Sequence, residues 1–322
     1  MIRIFSYSRE SKRMETPGIA DLPRHLADRG RMIWVDLEDP TDEEVGVLGG
    51  IFGFHVLAAE DSIHGNHLPK ADLYGEYVFL VLHAVDLALA ETRLETLDVG
   101  VFMGERYLVT HHKKQVKGIF DSRGQVAKNP GSLLRSPDWL LHGILDAMVD
   151  HYMSAVQMLE SRIERLEQAC LNTPEEADLK AAAQLQKEVF HLNRVGRLQR
   201  DLLLEMCRGN LPWFGEENRV YFRDIYDHLV WVTQESERFQ SRLTGTLAVY
   251  RSLAANQTAR AVRMLSVLAA VLLPLMLLAG IFGMNSNAFT GFEHDRVYPG
   301  VLGVMVLFGI GVLVVFKQKR WF

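Results

Sequence analysis

Apolar and polar positions change rhythm twice along this chain. Up to about residue 135, short runs rich in Val, Ile, Leu, Phe and Tyr alternate with turns and predict strands at 2–7, 32–37, 77–85, 97–103 and 106–111. Asp39-Pro40-Thr41 punctuates this region, and Thr41 with Glu44 three residues on forms a capping box that opens a helix. Segment 122–137 carries Gly124, Pro130, Gly131 and Pro137 and reads as a boundary. From Asp138 the period becomes helical. One helix runs to about residue 171 and is broken by Asn172-Thr173-Pro174, where Pro174 suits a first helical position. A second runs from about 175 to 207 and stops at Gly209-Asn210-Leu211-Pro212. A third begins near Glu216 and meets no proline before Pro274. Continuous through residue 282, it would be about 100 Å long at 1.5 Å per residue.

The last sixty residues are a different material. Residues 264–282 and 297–316 contain no charged side chain. Each run matches the roughly 20 residues needed to cross a bilayer core. A helix as long as the third is a coiled coil or a stalk entering a membrane, and its charge-free end decides for the membrane. The expected fold class is therefore an α/β N-terminal domain in the cytosol, a long α-helical stalk and two C-terminal transmembrane helices. The expected domains are 1–135 (α/β), 136–263 (helical part and stalk) and 264–322 (transmembrane), with an outer loop at 283–296. Arg260 and Arg263 precede the first span; Lys317, Lys319 and Arg320 follow the second; the loop holds Arg296 alone. By the positive-inside rule both termini are cytoplasmic and the loop is outside. Tyr298 and Trp321 suit the two interfaces.

Composition adds exclusions. Averaged over 322 residues, 48% hydrophobic and 23% charged looks like a soluble protein, which hides the apolar end. A formal net charge of −5 excludes a broadly basic nucleic-acid binder. Residues 1–10 lack an apolar run, so no secretory signal is expected. Cys170 and Cys207 lie in helical stretches without CxxC spacing, which argues against a disulfide scaffold or a thiolate metal site. No Walker-type glycine-rich loop is present, so ATP hydrolysis is unsupported and the chain reads as no enzyme. Asp36, Glu38 and Asp39 read as a turn and helix cap. His64 and His67, separated by Gly65, read as a loop and not as a metal pair. His111-His112 end a predicted strand and are expected to be exposed. Two spans cannot enclose an aqueous path, so transport requires several copies around an axis. Ala279 and Gly283 have the small-xxx-small spacing that lets helices approach closely.

One string carries more specific chemistry: Gly283-Met284-Asn285 at the end of the first span. Pro274 lies inside that span, Tyr298-Pro299-Gly300 opens the second, and the chain ends Phe316-Lys317-Gln318-Lys319-Arg320-Trp321-Phe322. Upstream stands Tyr221-Phe222-Arg223-Asp224-Ile225-Tyr226-Asp227-His228. In these features and in domain order the whole chain resembles the CorA family of divalent-cation transporters, whose signature is a Gly-Met-Asn tripeptide at the outer end of the first span. The resemblance implies a funnel-shaped homopentamer in the inner membrane with the first span lining the pore. It implies a lining of Val262, Leu265, Ala269, Leu273, Met276 and Gly280. It also implies that Asp224, with Asp227 beside it, binds regulatory Mg²⁺ between cytosolic domains. Two positions depart from the family: a polar residue near the inner mouth aligns with Ala259, and a second acidic position aligns with Ala248.

The tripeptide also has a physical reading. Mg²⁺ sheds its water reluctantly, and a ring of Asn285 amide oxygens holds the hydrated ion by hydrogen bonds without stripping it. Taken alone, Gly283 and Asn285 read better as a helix C-cap followed by a turn. The lining is almost entirely apolar, so it conducts only when wide enough to stay wet. Glu293 and Asp295 in the outer loop would concentrate cations. Mg²⁺, with Co²⁺ or Ni²⁺ beside it, is the expected cargo and a regulator; no cofactor is expected. The alternatives are a Zn²⁺ transporter of the related ZntB branch, kept open by Ser286-Asn287-Ala288-Phe289-Thr290 in place of the family's Met-Pro-Glu-Leu loop, and a membrane-anchored sensor that conducts nothing.

Overall fold

A computed structural model of the chain describes residues 1–65, 67–86, 93–172, 176–283 and 294–318. It divides into two compact units, residues 1–247 and 248–322.

In the first unit the strands are β1 (Ile2–Ser8), β2 (Arg13–Glu15), β3 (Arg31–Glu38), β4 (Lys70–Leu73), β5 (Val78–Val85), β6 (Thr96–Met103) and β7 (Tyr107–His112). Among the described residues they form one sheet in the order β2-β1-β3-β7-β6-β5-β4. β3 and β7 pair in parallel, Trp34 opposite Leu108, and the other neighbours are antiparallel. All eight residues of β5 are buried, as expected of a central strand covered on both faces. The helices are α1 (Leu22–Ala27), α2 (Asp42–Gly50), α3 (Val56–His64), α4 (Lys117–Lys128), α5 (Pro130–Leu133), α6 (Pro137–Asn172), α7 (Glu176–Arg208), α8 (Arg219–Gly283) and α9 (His294–Gln318).

One sheet face packs Ile33, Val35, Phe79, Val81, Phe102 and Val109 against Leu22, Val47, Leu48 and Ala58 of α1, α2 and α3. Alternation sends the neighbouring positions to the other face, where α6 crosses β3, β5 and β7. The capping box at α2 is present: the Glu44 amide donates to Thr41 Oγ1 and Glu44 Oε2 accepts from the Thr41 amide.

Segment 122–137, read above as a boundary, is mostly helical, with breaks at 129 and 134–136. It holds the end of α4 and all of α5, and Arg123 of α4 is buried and bonded to Asp36 Oδ2 (3.0 Å) and Glu38 Oε2 (2.7 Å). Asp36 is therefore a paired buried charge: it also accepts from Thr110 Oγ1 (2.7 Å) and lies 3.1 Å from His112 Nε2. His111 and His112, expected to be exposed, are 2% and 1% exposed. The parallel pairing of β7 with β3 carries both into the interior, His112 toward Asp36 and His111 beneath α3. His64 ends α3 with its ring on the Glu60 carbonyl, and Gly65 at φ +67° turns the chain away. His67 offers its carbonyl to His83 Nε2 (2.6 Å), and its own ring lies 3.7 Å from Asp61 Oδ1.

Candidate functional site

The second unit holds the end of α8 and all of α9, among the described residues the two helices long and apolar enough to cross a membrane. α8 passes Pro274 and ends at Gly283; α9 includes Pro299.

The stripe Val262, Leu265, Ala269, Leu273, Met276 and Gly280 is exposed at every position, Leu265 and Leu273 at 66% and Met276 at 67%. The least exposed positions of the same stretch are Val267, Ala270, Val271, Pro274, Leu275 and Leu278. At about 100° per residue, the centres of these two sets lie roughly 165° apart around the helix. The predicted lining thus lies within the wider face of α8 that a single chain leaves bare, which also takes in Leu268, Leu272 and Leu277. A Cβ added at Gly280 would meet nothing within 4 Å, and Ala279 is exposed beside it. Ala259 is half-buried and Ala248 exposed. Arg260 and Arg263 are exposed before the apolar run of α8, and Lys317 stands in the last turn of α9.

Of the tripeptide, Gly283 is the last residue of α8; Met284 and Asn285 lie outside the described residues, as does Glu293. Asp295 belongs to the first turn of α9.

In the first unit Asp224 and Asp227 are both exposed on α8, one helical turn apart. Facing Asp224 are two groups that sequence reasoning did not single out, His142 and Asp146 of α6, with Asp150 beside Asp146. Burial pushes the Asp146 carboxyl above its ordinary range, Asp150 and Asp224 push it further, and His142 and His228 oppose them. Burial also holds His142 below its ordinary value. His142 touches the aromatic rings of Trp139, Tyr221 and Phe222, which fixes α6 against the start of α8. The spacing His142-x₃-Asp146-x₃-Asp150 puts all three on one helix face, a signal available in the sequence. Among the described residues no three His, Cys, Asp or Glu side chains converge closely enough to hold a metal ion within one chain.

Residues 29–318 match the model of the family described as CorA-like Mg²⁺ transporter protein. The chain is 31% identical over 289 residues to the putative metal ion transporter YfjQ of Bacillus subtilis, covering 90% of this chain and 89% of that protein. It is 28% identical over 323 residues to the cobalt/magnesium transport protein CorA of Thermotoga maritima, covering 99% and 92%. The complete structure of the CorA magnesium transporter from Methanocaldococcus jannaschii superposes with a TM-score of 0.86 at 20% identity, covering 100% of this chain and 99% of that one.

Proposed function

Because the chain belongs to the family of CorA-like Mg²⁺ transporter proteins, we propose that it carries divalent cations, Mg²⁺ first, across the cell's inner membrane as a homopentamer. The observation that carries this reading is the bare stripe of α8. Copies arranged about an axis would cover it with one another and leave an apolar path between them. Such a path conducts when wide and blocks by dewetting when narrow. Asn285 supplies the outer ring of amide oxygens for the hydrated ion, Gly283 and Met284 shape the turn that presents it, and Glu293 and Asp295 attract cations to the mouth.

Both termini are in the cytosol, in keeping with Arg260, Arg263, Lys317, Lys319 and Arg320 on one side of the spans. In functional terms residues 1–135 and 136–263 form the cytosolic sensor and stalk, and 264–322 the conducting part. Asp224 and Asp227 take regulatory Mg²⁺ between neighbouring subunits, where the cation screens carboxylate repulsion and favours the closed ring. Entry needs no fuel: a divalent ion gains about 4.6 kcal/mol per 100 mV of negative interior, twice the 2.3 kcal/mol of a single charge.

The test is Mg²⁺ flux into liposomes, with a check that the oligomer assembles. Asn285→Ala removes the acceptor and is expected to abolish selective flux. Asn285→Asp adds like charges that bind the ion too tightly for release, so it binds metal and transports poorly. Normal selective flux through correctly assembled Asn285→Ala protein would leave Gly-Met-Asn as a helix cap.

A further inference from the structure

A line of polar bonds fastens α7 to the sheet. Glu188 Oε2 accepts from the Leu94 amide (3.1 Å), His191 Nε2 meets Thr96 Oγ1 (2.9 Å), and Gln199 Oε1 accepts from the His83 amide (2.8 Å). At about 100° per residue the three side chains leave α7 within about 80° of one another, on one face. The middle bond differs from its neighbours because it joins imidazoles. Thr96 Oγ1 also lies 3.1 Å from Nδ1 of His83, so one hydroxyl stands between two rings.

The protons of this chain have one arrangement at neutral pH. His83 Nε2 lies 2.6 Å from the His67 carbonyl, which only accepts, so that nitrogen carries a proton. Nδ1 of the neutral ring is then an acceptor and takes the Thr96 hydroxyl proton. Thr96 Oγ1 in turn accepts from His191 Nε2.

A further proton breaks this order at either end. On the buried His83 ring it would sit on Nδ1 and face the hydroxyl proton of Thr96. On His191 it would leave the bonds intact but put a cation on a half-buried ring. Burial, His83 and Arg194 hold His191 below its ordinary value, while Asp98 opposes them. Asp98 Oδ1 lies 3.4 Å from His83 Nε2. The other polar neighbours have partners of their own. Glu188 pairs with Arg162 of α6 (2.6 Å), Asp61 pairs with Lys70 (2.6 Å) and lies 3.7 Å from His67, and Tyr152 of α6 donates to the His83 carbonyl (2.9 Å).

We propose that His83, Thr96 and His191 form a proton-sensitive clasp, which holds α7 on the sheet while both rings are neutral and opens when acid adds a proton to the pair. A freed imidazole titrates near 6.5. The clasp is therefore at full strength above that value and weakens as the pH falls below it. Each proton taken up on opening favours the open form about tenfold between pH 7.5 and pH 5.5.

The test is hydrogen–deuterium exchange of the detergent-solubilised full chain at those two pH values, corrected for intrinsic exchange and read in peptides covering β5 and the second half of α7. Opening of the parent protein is expected to rise at least about tenfold on acidification. His191→Gln keeps an N–H donor for Thr96 and cannot titrate, and is expected to remove about a factor of ten from that rise. Equal acid dependence in the two proteins overturns the proposal. Should His191→Gln fail to fold, ring ¹⁵N shifts of the parent protein decide. His83 and His191 are expected to be neutral at pH 7.5 with the proton on Nε2 in both, and any other arrangement overturns the proposal.

Discussion

Acid should weaken this fold through one particular imidazole. His111 is 2% exposed beneath α3, and its Nδ1 has no hydrogen-bond partner among the described residues. Burial is the main reason that its pKa is lowered to about 4; His112 and Lys113 push the same way, while a backbone hydrogen bond to Ser62 and the charge of Asp36 oppose. An unfolded histidine titrates near 6.5. Above that value the ring is neutral in both states and full stability is present. Between about 6.5 and 4 the unfolded chain takes up a proton that the folded chain refuses, so stability falls as the pH drops through this window. The slope approaches 1.4 kcal/mol per pH unit, and the total is about 3 kcal/mol. His111→Gln keeps a nitrogen near the Ser62 backbone and removes the titration. The assay is urea unfolding of the detergent-solubilised chain at matched protein concentration, followed by tryptophan fluorescence between about pH 7 and pH 4.5. Burial also lowers His142, His151 and His191, but these contribute to both proteins and cancel in the difference. The parent chain is expected to lose stability more steeply than the variant. Parallel curves would refute the reasoning.

Two further outcomes follow from the geometry. Asp224→Ala should relieve inhibition of uptake by internal Mg²⁺ and, by removing a like charge, move the Asp146 titration downward in a carboxyl-resolved NMR experiment; an unchanged inhibition curve would reduce Asp224 to a solvated helix residue. Gly100→Ala would place a Cβ 2.8 Å from Ser62 Cβ and 3.4 Å from its Cα, pushing α3 off the sheet at a cost of about 1–3 kcal/mol, and an unchanged thermal midpoint would contradict this.

How much of the molecule was legible in the sequence depends on the range of the forces involved. The five apolar strands, the Thr41 box and the three long helices are local signals, and each is present within a few residues of its expected bounds. β2 and β4 were not legible: they are short edge strands, Arg13–Glu15 and Lys70–Leu73, with no apolar run to mark them. α4 was hidden by Gly124, a residue read as punctuation that the helix tolerates because neighbouring Ile119, Ser122, Arg123 and Val126 are buried. The burial of His111 and His112 depends on β3, more than seventy residues earlier in the chain, and no local pattern reports that. The meeting of Asp146 with Asp224 was not legible either, since packing alone brings them together.

The sheet has one joint unlike the rest. β1, β2 and β3 form an antiparallel set from neighbouring sequence, as do β4 to β7; the parallel edge between β3 and β7 sews the two together. Each half pairs strands that lie near one another in sequence, whereas the seam must wait until residue 112 has been made. Folding is then expected to be a docking of two preformed halves, with the slow step at the seam. The bonds that cross it are polar and directional: Trp34 Nε1 to Thr110 (3.1 Å), Thr110 to Asp36, and His112 beside Asp36, with Arg123 arriving last from α4. Greasy contact would hold two sheets together in many registers. A line of charge and hydrogen bonds accepts one, so the seam works as a proofreading joint, and a lesion there would leave two open sheet edges in search of other partners.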